Sequence, residues 1–242
     1  MTEEAWLASM GPETLLNELR SHLGARKLRL FACACCRRVW PLLTRPAVRE
    51  AVRTAELFAD GLATKDDLRA GWAAVRKTLA VTPVNTPWEH ALMAALNAAS
   101  EGGLGSAVRG SLPDAVSAAE AAARALDHEW RERHAGEINR RPSEGRARQG
   151  NLEERAYQCR LLGDLLPSRP VAADPAWGAW QHGQLVSLAQ AIYDEGRFED
   201  LPVLADALEE AGCAEPAILE HCRGPGPHAR GCWAVDLILG KE

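Results

Sequence analysis

The sequence predicts an all-α fold, a bundle of about ten helices with helical hairpins in its C-terminal third. The 242 residues are rich in Ala, Leu, Glu and Arg and poor in β-branched residues, a composition that favours helices over strands. Apolar residues recur at helical spacing along most of the chain, and no segment alternates as a half-buried strand does. Proline, threonine and glycine residues mark where these periodic segments begin and end.

Helix boundaries in the first 140 residues follow from local capping residues. Pro12 and Pro46 are suited to a first helical turn, where the missing N–H of proline costs nothing. Thr64 precedes a first turn with two acidic residues, which is typical of a capped helix N-terminus. The segment from Leu28 to Val39 is apolar nearly all round, which predicts a central, buried helix. The predicted helices span residues 12–24, 28–39, 46–61, 65–80, 88–99 and 114–134.

The stretch that follows these helices contains almost no apolar residue, with Ala147 as the exception. Such a composition favours an exposed linker or mobile loop. We therefore expect an N-terminal helical region over 1–140, a linker or loop over 141–150, and a C-terminal helical region over 151–242. The two regions either form separate units or pack as one domain.

The C-terminal region repeats one amphipathic pattern in short helices, which predicts helical hairpins. Two of these helices each place four apolar residues on one face, namely Leu185, Leu188, Ala189 and Ile192 in the first, and Leu201, Leu204, Ala205 and Leu208 in the second. The predicted helices of this region span residues 152–166, 184–196, 201–212, 214–224 and 228–240.

Composition indicates a soluble, cytoplasmic protein. Hydrophobic residues make up 47% and charged residues 25% of the chain, as in ordinary globular proteins. The N-terminal segment begins with acidic residues and lacks the basic and apolar regions of a secretory signal, so we expect a cytoplasmic location and no membrane partner. Seven cysteines, an odd number, argue against a disulfide framework in a chain of this size.

Charge changes sign along the chain. Residues 1–80 hold 13 basic and 9 acidic residues, whereas residues 171–242 hold 4 basic and 12 acidic residues. This polarity can steer charged partners, but a nucleic-acid-binding protein usually has a more concentrated basic surface. We therefore expect a protein partner and consider a nucleic-acid partner unlikely.

Residues 221–236 read HCRGPGPHARGCWAVD and contain the main candidate site. The Gly-Pro-Gly-Pro segment ends one helix and offers a start for the next, so its simplest role is a tight corner. A zinc site is a second hypothesis, because His221, Cys222, His228 and Cys232 are all of ligand type. Neighbouring His221 and Cys222 point about 100° apart on a helix. Only one of them therefore binds easily, with Cys213 as a substitute for the other.

Two further hypotheses concern the same stretch, and neither identifies a catalytic residue. Anion binding would use free backbone N–H groups with Arg223, His228 and Arg230. General acid–base chemistry would pair a histidine of the stretch with a nearby carboxylate. An enzyme site built here would draw on Glu209, His221, Cys222, His228, Arg230, Cys232 and Asp236.

The CACC segment has the CxxC spacing of redox and metal sites at Cys33 and Cys36. Reactive pairs of this type lie at helix N-termini, whereas these cysteines lie well inside a predicted helix. We therefore expect buried cysteines that pack as small apolar residues. The chain lacks the P-loop, HExxH and GxSxG motifs, which removes several common enzyme classes.

Two segments carry a resemblance to known proteins. The phrase RKLRLFACACCRRVWPLL and the closing LPVLADALEEAGC…ILEHCRGPGPHARGCWAVDLILGKE resemble a set of uncharacterised helical proteins of planctomycete bacteria. The phrase LADALEEAG is also distantly similar to the ADWLEE-G phrase of a planctomycete repeat-companion domain, which has Trp where this chain has Ala207. The resemblance implies bacterial origin and a cytoplasmic helical domain, and it implies no activity, cofactor or ligand.

These observations lead to an ordered set of functional expectations. The first is a non-enzymatic helical interaction or regulatory protein, because exposed helical faces bind partner proteins. The second is a zinc-dependent or anion-binding enzyme with its site at the 221–236 corner. The third is a nucleic-acid-associated defence or regulatory factor that uses the basic N-terminal half.

Overall fold

The computed structural model describes residues 11–101, 112–133, 144–167 and 169–241, and all regular structure within these ranges is helical. The all-α prediction is confirmed. The α-helices are α1 (Pro12–Glu18), α2 (Ala25–Arg38), α3 (Pro46–Ala59), α4 (Lys65–Leu79), α5 (Pro87–Ala98), α6 (Leu112–Arg133), α7 (Glu144–Leu165), α8 (Pro175–Ala179), α9 (Gln184–Glu195), α10 (Leu201–Glu210), α11 (Pro216–Arg223) and α12 (Trp233–Leu239).

The chain divides into two compact units, Met1–Leu162 and Gly163–Glu242. This division falls inside α7, after the predicted linker. Residues 141–143 of that linker lie outside the described ranges, and residues 144–150 form the first turns of α7. None of the described helices is both long and apolar enough to cross a membrane.

Helix α2 lies at the centre of the N-terminal unit, as its all-round apolar surface predicts. It packs against α3, α5 and α6. Its core side chains Leu30 and Phe31 are almost fully buried, and so are the cysteines Cys33, Cys35 and Cys36. The cysteines therefore fill the core as small apolar residues, as expected.

Local capping explains where the helices of this unit begin. Thr64 and Asp67 form a capping box at the start of α4, in which the Thr64 hydroxyl accepts from the Asp67 N–H and the Asp67 carboxylate accepts from the Thr64 N–H. This arrangement satisfies two backbone donors that a helix N-terminus leaves free. Prolines occupy the first turns of α1, α3 and α5.

The C-terminal unit is built on the two amphipathic helices whose apolar faces the sequence predicts. Helices α10 and α11 pack as a hairpin, and α9 packs against α10 and α12. Leu185, Ala189 and Ile192 from α9 join four apolar side chains of α10 in one core, and Trp177 and Trp233 complete it. The acidic residues of α10 lie on its exposed side. This core fixes the ends of α11 and α12, and thereby the corner between them.

A buried arginine ties α2 to the end of α5, which provides a test of the N-terminal core. Arg29 is 5% exposed, and its Nη1 donates to the carbonyls of Ala98 and Ser100 at 2.8 Å each. We expect Arg29→Met to lower the free energy of unfolding by about 1–3 kcal/mol, because both hydrogen bonds are lost in a buried setting. Urea unfolding followed by circular dichroism measures this change.

The matched control is Arg124→Met, since Arg124 makes an exposed ion pair with Glu120 one helical turn away. Exposed pairs of this type contribute less than about 0.5 kcal/mol. Equal losses for the two variants would contradict the stabilising role of Arg29.

Candidate metal centre

Four side chains of ligand type converge where α11 turns into α12. They are Asp164 near the end of α7, His221 on α11, His228 in the connection, and Cys232 at the N-cap of α12. One ligand atom from each residue lies within 4.8 Å of the other three. All four residues belong to the C-terminal unit.

Glycine and proline in the connection bring His228 back towards α11. Helix α11 ends at Arg223, and the Gly-Pro-Gly-Pro segment follows directly. Gly226 has a φ of +75°, and a Cβ there would lie 3.0 Å from the backbone nitrogen of His228. A side chain at this position would therefore be strained and crowded, so glycine permits the close turn.

The site is almost closed to solvent. The Asp164 side chain is 2% exposed, that of His228 is 10% exposed and that of His221 is 16% exposed. Cys232 is fully buried. A buried carboxylate is unfavourable unless positive charge or hydrogen-bond donors neutralise it.

Asp164 is at the centre of the cluster. Its Oδ1 lies 2.7 Å from His228 Nδ1 and 3.1 Å from His221 Nε2, and its Oδ2 accepts from the Ala229 N–H at 2.9 Å. Burial raises the pKa of Asp164, but the hydrogen bonds from His221 and His228 and the nearby positive charge of His228 outweigh burial and hold the pKa below its ordinary value. Asp164 is therefore ionised in the folded protein.

Both ring nitrogens of His228 face a hydrogen-bond acceptor. Nδ1 faces the ionised Asp164 carboxylate, and Nε2 lies 3.4 Å from the carbonyl of Gly224. Burial lowers the pKa of His228, but the hydrogen bond to Asp164 and its negative charge have the larger effect and raise the pKa. The contact with Asp164 therefore favours the protonated, imidazolium form of His228.

Cys232 is a thiol in this arrangement. Burial is the main reason that its pKa lies well above the ordinary value, and the Asp164 charge adds to it. The backbone N–H groups of Ala234 and Val235 act in the opposite direction, because they donate towards the sulfur. Such donors suit a metal-bound thiolate.

His221 is held from the other side by Trp233. The indole Nε1 of Trp233 donates to His221 Nδ1 at 3.1 Å, and the two rings are 4.9 Å apart. On the inner side, His221 Nε2 lies 3.2 Å from the sulfur of Cys232. His221 thus contacts the other three members of the cluster, namely Asp164, His228 and Cys232.

The observed group differs from the predicted zinc ligands in one member. The sequence predicts His221, Cys222, His228 and Cys232, and three of these residues converge. Cys222 is not part of the converging group, because it follows His221 on α11 and lies in the apolar core, where burial raises its pKa to about 12. Cys213, the suggested substitute, also lies in that core. Asp164 provides the fourth ligand atom instead.

The candidate anion-binding residues do not form a site together. The Arg223 guanidinium is paired with Asp206 and Glu209 on the exposed surface between α10 and α11. Arg230 donates to the carbonyls of Tyr193 and Asp194 and stacks over the Tyr193 ring. These contacts hold both guanidiniums away from the cluster.

The two candidate carboxylates of the predicted site, Glu209 and Asp236, also lie in different surroundings. Glu209 is exposed and binds Arg223. Asp236 is 2% exposed and lies on α12. His228 is therefore the one residue of the predicted anion-binding set that belongs to the cluster.

The sequence gives no indication of Asp164 or Trp233 as site residues. Asp164 is 57 residues before His221, so no local spacing connects the two. The one signal that could have identified Asp164 is its position between Leu161 and Leu165, which places a carboxylate on the buried side of an amphipathic helix. Trp233 follows Cys232 directly and reads as an ordinary core residue.

The cysteines of the CACC segment do not form a second site. Burial raises the pKa of Cys33, Cys35 and Cys36 well above the ordinary value. Among the described residues, none of these three cysteines belongs to a group of three or more ligand-type side chains that could hold a metal ion. The burial of all three side chains agrees with the prediction that they pack as small apolar residues.

A pocket of about 330 Å³ lies on the outer side of His228. Phe198, Glu199 and Pro202 form one wall, and residues 224–226 form another. The pocket is open to solvent and has one carboxylate in its lining. It lies beside the cluster, because His228 belongs to its lining.

Comparison with known proteins gives no relative: no family model, no curated protein and no solved structure matches this chain.

The ion pair of His228 and Asp164 predicts how the metal-free protein responds to pH. Because folding raises the pKa of His228, its stabilising contribution is complete below about pH 6.5 and is lost as the pH rises through the raised value. Folding lowers the pKa of Asp164, so its contribution is lost only in acid, below about pH 4. We expect the metal-free melting temperature to fall between pH 6 and pH 9.

Thermal unfolding in the presence of a chelator measures this slope for wild type and for His228→Gln. The variant keeps a polar side chain but no titrating ring, so its melting temperature should fall less over the same range. Identical slopes for the two proteins would show that the ion pair does not control the response.

Proposed function

We propose that the C-terminal unit binds one zinc ion through Asp164, His221, His228 and Cys232, and that the chain acts non-enzymatically by binding another protein. The observation that carries the zinc site is the convergence of four ligand-type side chains in a closed, largely buried cluster. The ion would join the end of α7 to the corner between α11 and α12.

Charge balance supports a divalent cation. Asp164 is ionised, and Cys232 becomes a thiolate when it binds a metal. One carboxylate and one thiolate neutralise a charge of +2, and two neutral imidazoles complete the set. The buried centre is then electrically neutral, which avoids the cost of an uncompensated charge.

The donor atoms favour zinc over the other common divalent cations. Calcium and magnesium take oxygen ligands in six or more positions, whereas zinc takes four ligands from sulfur, imidazole and carboxylate. Ligand atoms of a tetrahedral zinc are about 3.3–3.8 Å apart, given bond lengths of about 2.0–2.3 Å. The observed separations of up to 4.8 Å need only small side-chain shifts to reach this geometry.

The groups around the ligands also suit a metal at three of the four positions. The second oxygen of Asp164 accepts from the Ala229 N–H, and the outer nitrogen of His228 faces the Gly224 carbonyl. Backbone N–H groups are directed at the sulfur of Cys232. Contacts of this type orient metal ligands in known sites.

A non-enzymatic role follows from the closed ligand set. Catalytic zinc keeps one position open for water or substrate, whereas structural zinc is bound by four side chains. Here four side chains are available and little solvent reaches them. The ion would then stabilise the corner instead of supplying a reactive water.

A protein is the partner that the surface of the N-terminal unit fits best. Trp40 at the end of α2 has Arg37, Arg49 and Arg53 within 6 Å of its ring. Tryptophan and arginine are the residues most enriched at energetically important positions of protein interfaces. The acids Glu50 and Glu56 pair with two of these arginines, which lowers the attraction for a nucleic-acid backbone.

A cytoplasmic location and a bacterial origin are also part of this proposal. The seven cysteines are all free and buried, which supports the proposed cytoplasmic location, where thiols stay reduced. Bacterial origin depends on the planctomycete resemblance alone.

A metal-dependent enzyme is the second candidate function, and one observation favours it. The pocket beside His228 brings open space next to a proposed zinc ligand. If one of the four side chains left the ion, a substrate in this pocket would lie close to it. The catalytic alternative therefore requires an open coordination position.

Elemental analysis of the purified, untagged protein tests the zinc site. We expect one zinc per chain in wild type, and loss of zinc in Cys232→Ala, because removal of the thiolate leaves the centre with excess positive charge and three ligands. Asp164→Asn should bind zinc at least about tenfold more weakly, measured by competition with a chromophoric chelator.

The matched control is Cys222→Ala, which removes a buried thiol from the same unit outside the cluster. This variant should keep one zinc per chain. Absence of zinc in wild type, after growth and purification with zinc present, would reject the site. Loss of zinc in both cysteine variants would place the ligand set elsewhere.

Cobalt substitution separates the structural from the catalytic proposal. We expect the visible spectrum of four-coordinate, tetrahedral cobalt with thiolate-to-metal charge transfer, because the four side chains fill all positions. Added azide or cyanide should leave this spectrum unchanged. A spectral shift that saturates with the anion would demonstrate an open position and favour the enzyme.

A further inference from the structure

Trp233 is the exception among the groups that surround the proposed ligands. A histidine that binds zinc almost always donates its second ring N–H to a carboxylate, carbonyl or water. The outer nitrogen of His221 faces a donor instead, because the Trp233 indole N–H is directed at Nδ1 from 3.1 Å. An indole N–H can only donate.

This contact fixes the position of the proton on His221 in the metal-free protein. Since Nδ1 accepts from Trp233, it carries no hydrogen, and the proton of the neutral ring is on Nε2. The Nε2–H then has an acceptor, because Asp164 Oδ1 lies 3.1 Å away. The chain of hydrogen bonds runs from Trp233 through His221 to Asp164 with every donor matched to an acceptor.

Neither nitrogen of His221 offers a free lone pair to a metal in this state. The lone pair of Nδ1 accepts from Trp233, and Nε2 carries the proton. A zinc ion at the centre of the cluster binds on the Nε2 side, where Asp164 and Cys232 lie. The proton of the neutral ring must then be on Nδ1, where it meets the Trp233 N–H directly.

We propose that Trp233 is a positioning residue that weakens zinc binding, because its indole N–H holds His221 in the tautomer that a metal-bound ring cannot keep. This inference rests on the proposed zinc site and adds its regulation. The metal-free cluster closes on itself by hydrogen bonds, and zinc must break the contact between Trp233 and His221 in order to bind.

The proposal predicts a change in zinc affinity opposite to the change expected if Trp233 only fills the core. Trp233 is 7% exposed and lies in the core of the C-terminal unit. If its function were packing alone, any substitution would loosen the site and weaken metal binding. If its N–H competes with the metal, removal of the N–H with retention of an aromatic ring strengthens metal binding.

Trp233→Phe is the test variant, and Trp177→Phe is its matched control. Trp177 is a buried tryptophan of the same core, and its indole N–H has no hydrogen-bond partner among the residues that the structure describes. The two substitutions remove the same atoms from the same core, but only the first one removes a contact to His221. Competition with a chromophoric zinc chelator at fixed pH measures the zinc affinity of wild type and both variants.

We expect Trp233→Phe to bind zinc about tenfold more tightly than wild type, since one hydrogen bond no longer stabilises the metal-free form and no donor opposes the Nδ1 proton. Trp177→Phe should bind zinc as wild type does or more weakly. An affinity of Trp233→Phe equal to or below that of wild type would overturn the proposal, provided that the variant retains the helical content of wild type.

A measurement on wild type keeps the proposal testable if Trp233→Phe does not fold. Nitrogen-15 NMR of histidine side chains distinguishes the two neutral tautomers. In the metal-free protein we expect His221 to carry its proton on Nε2, and after zinc is added we expect the proton on Nδ1. A metal-free His221 with its proton on Nδ1 would refute the role of Trp233.

The outcomes for wild type separate this inference from the zinc proposal. If wild type binds no zinc, the proposed function fails. If wild type binds zinc and Trp233→Phe binds it no more tightly, the zinc site remains and the role of Trp233 fails.

Discussion

The ionised carboxylate of Asp164 is the constraint on which the architecture of the C-terminal corner depends. A negative charge with 2% exposure of its side chain has almost no water to stabilise it, so the protein itself must supply positive charge or N–H donors. Two histidines and a backbone N–H do so from three directions. This requirement ties His221 on α11, His228 in the Gly-Pro connection and the backbone of Ala229 to one carboxylate.

The same carboxylate can be neutralised in two ways, and the difference between them defines the chemistry of the site. In the metal-free arrangement His228 brings one positive charge and Cys232 keeps its proton. In the proposed zinc form the ion brings two positive charges. The extra proton of His228 and the thiol proton of Cys232 both leave. Each arrangement is neutral overall, so neither one places an unbalanced charge in the core.

This equivalence sets the site apart from structural zinc sites in small domains. Zinc fingers are unfolded without their metal, because the metal replaces a hydrophobic core. The C-terminal unit has a core of its own, formed by apolar residues of α9, α10, α11 and α12. Removal of the ion would therefore change the corner more than the fold.

Much of the fold could be predicted from the sequence, because helix periodicity and capping are local properties. The central position of α2 follows from its apolar surface, and the start of α4 follows from Thr64 and the acidic first turn. The core face of α10 follows from its apolar spacing. The linker is the exception, since residues 144–150 are polar and nevertheless continue as helix α7.

The candidate site was only partly predictable, for a physical reason. His221, His228 and Cys232 lie close together in sequence, so composition alone brings attention to them. Cys222 has a ligand-type thiol that does not face the site, because successive residues of a helix point about 100° apart. Asp164 has the right direction but comes from a distant helix, and tertiary packing alone brings it to the others.

The distance in sequence between these residues has a consequence for the order in which the site assembles. His221 and Cys232 are 11 residues apart, whereas Asp164 and His228 are 64 residues apart. The entropy lost on loop closure rises with the number of residues enclosed, although slowly. Contact between His221 and Cys232 therefore costs less chain entropy than contact between Asp164 and His228, which favours the contact between the nearby groups first.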